Sequence, residues 1–189
     1  MADTTAAQPD AEPKASMTTV VAASSAGTAF EWYDFFVFGA LTTIIGKNFF
    51  SELGETAGVL AALALFGAGF FFRPLGALIF GRIGDKSGRK GAFLITVIMM
   101  GAATFAIGLL PTFEQAGIIA PILLIIMRIL QGTALGGEYG GAAIYVAEHS
   151  PDHKRGFMTG WIQTSAAFGL FGALIVILVT RTLLGEEAF

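Results

Sequence analysis

Two carboxylates stand in the middle of an apolar stretch, in the run Phe30-Glu31-Trp32-Tyr33-Asp34-Phe35-Phe36. They are three residues apart, which puts them on one face of a helix. A second apolar stretch carries Arg128, Gln131 and Glu138. At about 100° per residue, Arg128, Gln131, Leu135, Glu138 and Tyr145 fall on one side of that helix, so this stripe must face other protein and not lipid. Ionisable groups inside apolar helices are costly, and each is therefore a candidate for function that needs a partner. A carboxylate opposite an arginine can load and release a proton as the two move, because the positive neighbour favours the charged form and its withdrawal favours the protonated one.

The elements that must hold these groups are long and apolar. Hydrophobic residues make up 54% of the 189-residue chain and charged residues 13%, the mean hydropathy is +0.72, and Gly and Phe are both abundant. That composition suits a polytopic helical bundle better than a soluble domain. Helices are expected over about 19–45, 57–80, 91–110, 121–147 and 157–184, each long enough for a hydrocarbon core of about 30 Å. Pro111 stops the third, and the run from Glu148 to Pro151 ends the fourth. The fold class is thus an all-α integral membrane protein of about five transmembrane helices. Residues 1–18, rich in Ala, Thr and Pro, are expected to be a disordered tail. They are not a secretory signal, since the apolar segment that follows is long and has two carboxylates in its middle. With these bounds Asp34 lies about 21 Å above the start of its helix and Arg128 about 10 Å below the start of its own, so antiparallel helices bring them to similar depth.

Orientation follows from Lys and Arg. The decapeptide Gly81-Arg82-Ile83-Gly84-Asp85-Lys86-Ser87-Gly88-Arg89-Lys90 is read as a tight loop between the second and third helices, and four of its ten residues are basic. Lys14, Arg82, Lys86, Arg89, Lys90, Lys154 and Arg155 fall on its side of the membrane, against Lys47 and Arg181 on the other. That bias puts the N-terminus in the cytoplasm. Arg73, beside Pro74, is read as a snorkelling charge at a helix kink.

The spacing of Gly81, Asp85, Lys86, Gly88, Arg89 and Lys90 resembles the loop between helices two and three of major facilitator superfamily transporters. Ser87 and Gly91 depart from it, at positions where an aromatic and a third basic residue are frequent. The Glu-Trp-Tyr-Asp-Phe run from Glu31, and Arg128-x-x-Gln131-Gly132 followed by Gly136-Gly137-Glu138, resemble the metabolite:proton symporter branch of that superfamily. This branch carries dicarboxylates, tricarboxylates, shikimate, proline and betaines. The fifth helix lacks the Gly-Pro motif of drug:proton antiporters. The resemblance implies a twelve-helix fold in two six-helix halves around a midplane site, of which this chain would be the incomplete N-terminal half, truncated before its sixth helix.

The implied function is proton-coupled symport of a small organic solute, carboxylate, shikimate-like or betaine-like, by alternating access across the bacterial cytoplasmic (inner) membrane. Its partners would be membrane lipid, the solute, protons and the missing C-terminal half. By resemblance, Asp34 and Arg128 serve proton coupling, with Glu31 either sharing it or packing. Arg128, Gln131, Glu138, Tyr33 and Tyr145 are candidates for binding solute, and whether Arg128 holds a substrate carboxylate or only tunes Asp34 stays open. Glu148 and Arg155-Gly156 resemble the acidic-to-Arg-Gly loop that, with Asp85, Arg89 and Arg82, latches the loop side of such carriers.

No cofactor is expected, nor an enzyme or a nucleic-acid partner. Residues 81–88 are glycine-rich but lack the Gly-Lys-Ser/Thr that cradles phosphate. His149 and His153 are four apart, yet Pro151 interrupts their helix and no third ligand is near in sequence, so no metal site is expected. A non-transporting membrane fragment or assembly partner is the alternative. A membrane-embedded sensor would need a soluble signalling domain, which the short tail does not supply. The glycines at 132, 136 and 140 are read as places where helix backbones approach closely.

Overall fold

A computed structural model describes residues 17–185, and within them all side chains except those of 17–20, 23, 24, 89, 90, 138, 139, 141, 142, 145 and 149. The tail expected over 1–18 lies outside the described residues, apart from its last two positions, which begin the first helix. Among the described residues there is no strand. The helices are α1 (Met17–Ala40), α2 (Thr42–Phe49), α3 (Glu55–Phe71), α4 (Arg73–Ser87), α5 (Arg89–Gly108), α6 (Phe113–Ala116), α7 (Ile119–His149) and α8 (Arg155–Leu184).

Two expected helices are interrupted. The first stops at Ala40, where the Thr42 hydroxyl donates back to the carbonyls of Phe38, at 3.1 Å, and Gly39, at 2.8 Å. Such back-bonding competes with the helical ladder and bends it, so residues 42–49 form a separate helix, α2. The second breaks at Phe72, because Pro74 has no N–H to give and its ring crowds the preceding turn.

The charged decapeptide is not the ten-residue loop expected. Helix α4 continues through Ser87, and the turn into α5 is made at Gly88 alone, with φ +93°. Arg82, Ile83, Asp85 and Lys86 are compatible with helix, and of the three glycines only Gly88 leaves it, at a φ that favours glycine.

Helix α7 is the axis of the bundle. Its 31 residues span about 46 Å at about 1.5 Å per residue, and α4 and α5 pack along it while α1 packs along α8. The approach to α3 and α4 is as close as helices allow. A Cβ on Gly132 would strike the carbonyl of Gly69, one on Gly136 the carbonyl of Arg73, and one on Gly76 the carbonyl of Thr133. Gly140, expected in the same stripe, faces open space instead. Since lipid tails supply no hydrophobic drive between helices, this dispersion contact helps to join α7 to α3 and α4.

The burial pattern is inverted relative to a soluble domain. Phe71, Phe105, Phe168 and Leu178 project outward, while Glu31, Thr96, Arg128, Gln131 and Ser165 are buried. Stretches 55–87, 91–108, 119–137 and 152–184 are long and apolar enough to cross a membrane. Helix α1 has the length, with 24 residues, but its Ser, Thr, Glu31 and Asp34 leave it less apolar. It packs along α8, where Gly169 lies against Ala29, Trp32 and Tyr33.

Candidate functional site: a buried charge cluster between four helices

Asp34, from the middle of α1, is met by side chains from two other helices. Arg128 Nη1 donates to Asp34 Oδ2 at 3.2 Å, Gln131 Nε2 to Oδ1 at 3.2 Å, and the Thr104 hydroxyl to Oδ1 at 3.0 Å. Gln131 Nε2 also lies 2.8 Å from Thr104 Oγ1. The Arg128 guanidinium lies over the Phe38 ring, 3.3 Å from its centroid, so one of its faces meets a π-system and its edge meets a carboxylate. With Gln131 1% and Arg128 7% exposed, this is a desolvated network in which each contact counts for more than in water.

A second pair stands one turn away on α1. Glu31, 2% exposed, faces Arg73 at 3.5 Å, Oε1 to Nη2, and the Arg73 guanidinium caps Phe70 at 4.4 Å from its centroid. This corrects the snorkelling reading of Arg73. Because α4 runs to Ser87 and α1 starts at Met17, both residues lie 14 positions from the Gly88 end of their helices, about 21 Å deep. At that depth inward pairing wins over snorkelling. Both pairs border one void of about 20 Å³, which admits about one water molecule.

A cleft of about 580 Å³, lined by Glu31, Trp32, Phe70, Arg73, Leu135 and Gln163 among others, opens from the Glu31 side. Another, of about 250 Å³, runs beneath Phe80, Gly81, Asp85 and Gly137. Tyr33 turns the other way. Its ring meets Gly172 of α8, and it lines none of these three spaces. The side chains of Glu138, Tyr145, Arg89 and Lys90 lie outside the described ones.

In the loop after α7, Arg155 binds Asp152 at 2.6 Å and the Ala147 carbonyl at 2.9 Å. It is satisfied within its own loop, while Asp85, Lys86 and Glu148 are exposed. Among the described residues no group of three or more His, Asp or Glu is placed to hold a metal. Arg73 and Thr104 are the members of the site that spacing alone did not point to. Arg73 had a signal, as the one charge within residues 57–80; Thr104, one of two threonines in an uncharged run, had none.

Three relatives show what the chain resembles. It is 46% identical over 170 residues to the glycine betaine/proline/ectoine/pipecolic acid transporter of Dickeya dadantii, a match covering 89% of this chain and 34% of that protein. The identity and coverage are the same for the proline/betaine transporter of Escherichia coli K12. With the shikimate transporter of Escherichia coli K12 the identity is 42% over 167 residues, 88% of this chain and 38% of that protein. The chain thus spans about a third of the length of these relatives. No solved structure matches it significantly. A family described as sugar (and other) transporter matches residues 19–188. With that match running over all but the first 18 residues and the last one, the chain belongs to the sugar (and other) transporter family, within the major facilitator superfamily.

Proposed function

We propose that the chain forms the first helices of a carrier that moves a small organic solute across the bacterial cytoplasmic membrane together with a proton, and that Asp34 is the proton acceptor. The carrying observation is the convergence of Arg128, Gln131 and Thr104 on one buried carboxylate. Protonation removes the negative charge on which these donors converge, so three contacts to two helices weaken together. A packed interface with two arrangements can then pass from one to the other. In this reading Arg128 is committed to Asp34, and Gln131 and Thr104 hold the carboxylate in place. The solute sits between this bundle and a second half, and access alternates as one rocks against the other.

The test is a graft. Residues 19–188 replace the matched segment of the Escherichia coli proline/betaine transporter, and uptake of labelled proline is measured in cells lacking their own carriers. Accumulation that collapses with a protonophore is expected. Accumulation indifferent to the protonophore refutes proton coupling.

The same reading places the Gly88 end of the bundle in the cytoplasm, on the distribution of Lys and Arg. The chain has no cysteine, and Ser87 and Gln115 are exposed at opposite ends of α5. In intact cells an impermeant maleimide is expected to label Gln115→Cys and to spare Ser87→Cys. The reverse pattern inverts the topology.

A further inference from the structure

Glu31 and its partner Arg73 take no part in holding Asp34, yet the two ion pairs border one space. The void of about 20 Å³ has Glu31, Asp34, Arg73 and Arg128 around it, with room for about one water molecule. Glu31 and Arg73 also line the 580 Å³ cleft, whereas Asp34 does not. Residue number gives the order along the bundle. Asp34 stands three residues, about 4.5 Å, beyond Glu31 from the Met17 end of α1, and the cleft continues past Arg73 to Ala77 and past Gly136 to Gly140, towards the Gly88 end. From Asp34 towards that end the way leads through the void, past Glu31 and into the cleft.

The charges limit how many protons this row can hold. Two carboxylates and two guanidiniums sum to zero. One proton leaves one guanidinium without its counter-ion. A second would leave two around the same void, and removing the partner of a charge inside the bundle is costly each time. The two carboxylates thus titrate as one unit.

We propose that Asp34 and Glu31 share one transported proton, which Asp34 takes up and Glu31 passes on to the Gly88 side. The assignment rests on the transport reading and adds the exit to it. The protonated Asp34 carboxyl gives its proton to a water in the void, and that water gives one of its own to the Glu31 carboxylate. Asp34 is left ionised, and Arg128, Gln131 and Thr104 again have a negative group to hold. Glu31, now neutral, lets go of Arg73. It then gives the proton to water in the cleft and re-forms the pair, which stands at 3.5 Å in this arrangement. Glu31 Oε2 is buried here, so this last step waits for α1 and α4 to shift. A row open at both ends would leak protons.

The test compares net uptake with exchange of labelled proline by the grafted carrier, in which both halves are present, in membrane vesicles under an imposed proton gradient. Net uptake needs the proton released on the inner side in every cycle, and exchange of labelled for unlabelled proline does not. The double variant Glu31→Gln/Arg73→Gln removes both charges of the pair at once, so neither is left bare inside the bundle. Net uptake is expected to slow about tenfold or more relative to exchange, as where a positioned proton-transfer group is lost. The accumulation ratio finally reached should stay that of the unmodified graft, since Asp34 still carries the proton. Glu31→Asp keeps the pair with Arg73 but draws the carboxyl back by one methylene, and it should give the same split by a smaller factor even if the double variant fails to reach the membrane. A merely structural role slows uptake and exchange alike. Equal slowing of the two, no slowing in either variant, or an accumulation ratio that falls to one each overturns the relay. The transport reading fails separately, when accumulation by the unmodified graft is indifferent to a protonophore.

Discussion

Asp34→Asn in the grafted carrier is expected to abolish accumulation of solute against its gradient while exchange of labelled for unlabelled solute persists. Asparagine preserves the size of the side chain and can still accept hydrogen bonds from Gln131 and Thr104, but it cannot take up a proton at the operating pH. It also removes the charge opposite Arg128, whose guanidinium Nη1 stands 3.2 Å from Asp34 Oδ2. A buried arginine left without its counter-ion is costly, on the order of 3–5 kcal/mol when one partner of a buried pair is removed. The variant is therefore expected to be less thermostable as well as uncoupled. The internal concentration should fall to that outside, which is measured as the steady-state ratio under an imposed proton gradient. Exchange needs no net proton movement and is compared with it in the same vesicles. If the ratio stays well above one with asparagine at 34, the coupling carboxylate is another, and Glu31 is the next to substitute.

The charge cluster was partly legible because depth can be read from residue counts. The apolar runs set the helix ends, and counting along them brought Asp34 and Arg128 level before any contact was known. The same count misplaced Arg73. Ending its helix at Phe80 made Arg73 a shallow charge free to reach water, whereas α4 continues to Ser87 and carries Arg73 to the depth of Glu31. The ten-residue loop fails for the same reason, since glycine and charge do not by themselves end a helix, and this one turns only at Gly88. The break after Ala40 rests on a threonine hydroxyl turning back on its own helix, a choice that tertiary packing makes and a pattern of apolar residues does not announce. Thr104 was invisible for a related reason: a hydroxyl in an apolar helix usually bonds its own backbone, and only the neighbouring Asp34 and Gln131 give it another task.

The glycines of α7 were read as one stripe, and the structure separates them in a way that a pair of substitutions can expose. Gly136→Val is expected to be strongly destabilising, and Gly140→Ala is not. A Cβ at 136 would run into the carbonyl of Arg73, which is main chain at the break between α3 and α4 and cannot swing aside like a side-chain tip. Relief requires the two helices to part. Overpacking of this kind costs about 1–3 kcal/mol and sometimes more, and here it also loosens the neighbouring contacts of Gly132 with Gly69 and of Gly76 with Thr133. At 140 a Cβ meets nothing within 4 Å, and alanine in place of glycine inside a helix favours the helix by roughly 0.5–1 kcal/mol. Thermal unfolding of the two variants in the same detergent should show a melting temperature several degrees lower for Gly136→Val and an unchanged or slightly higher one for Gly140→Ala. Equal stability of the two variants would mean that the Gly136 contact with the Arg73 main chain does not hold in the membrane.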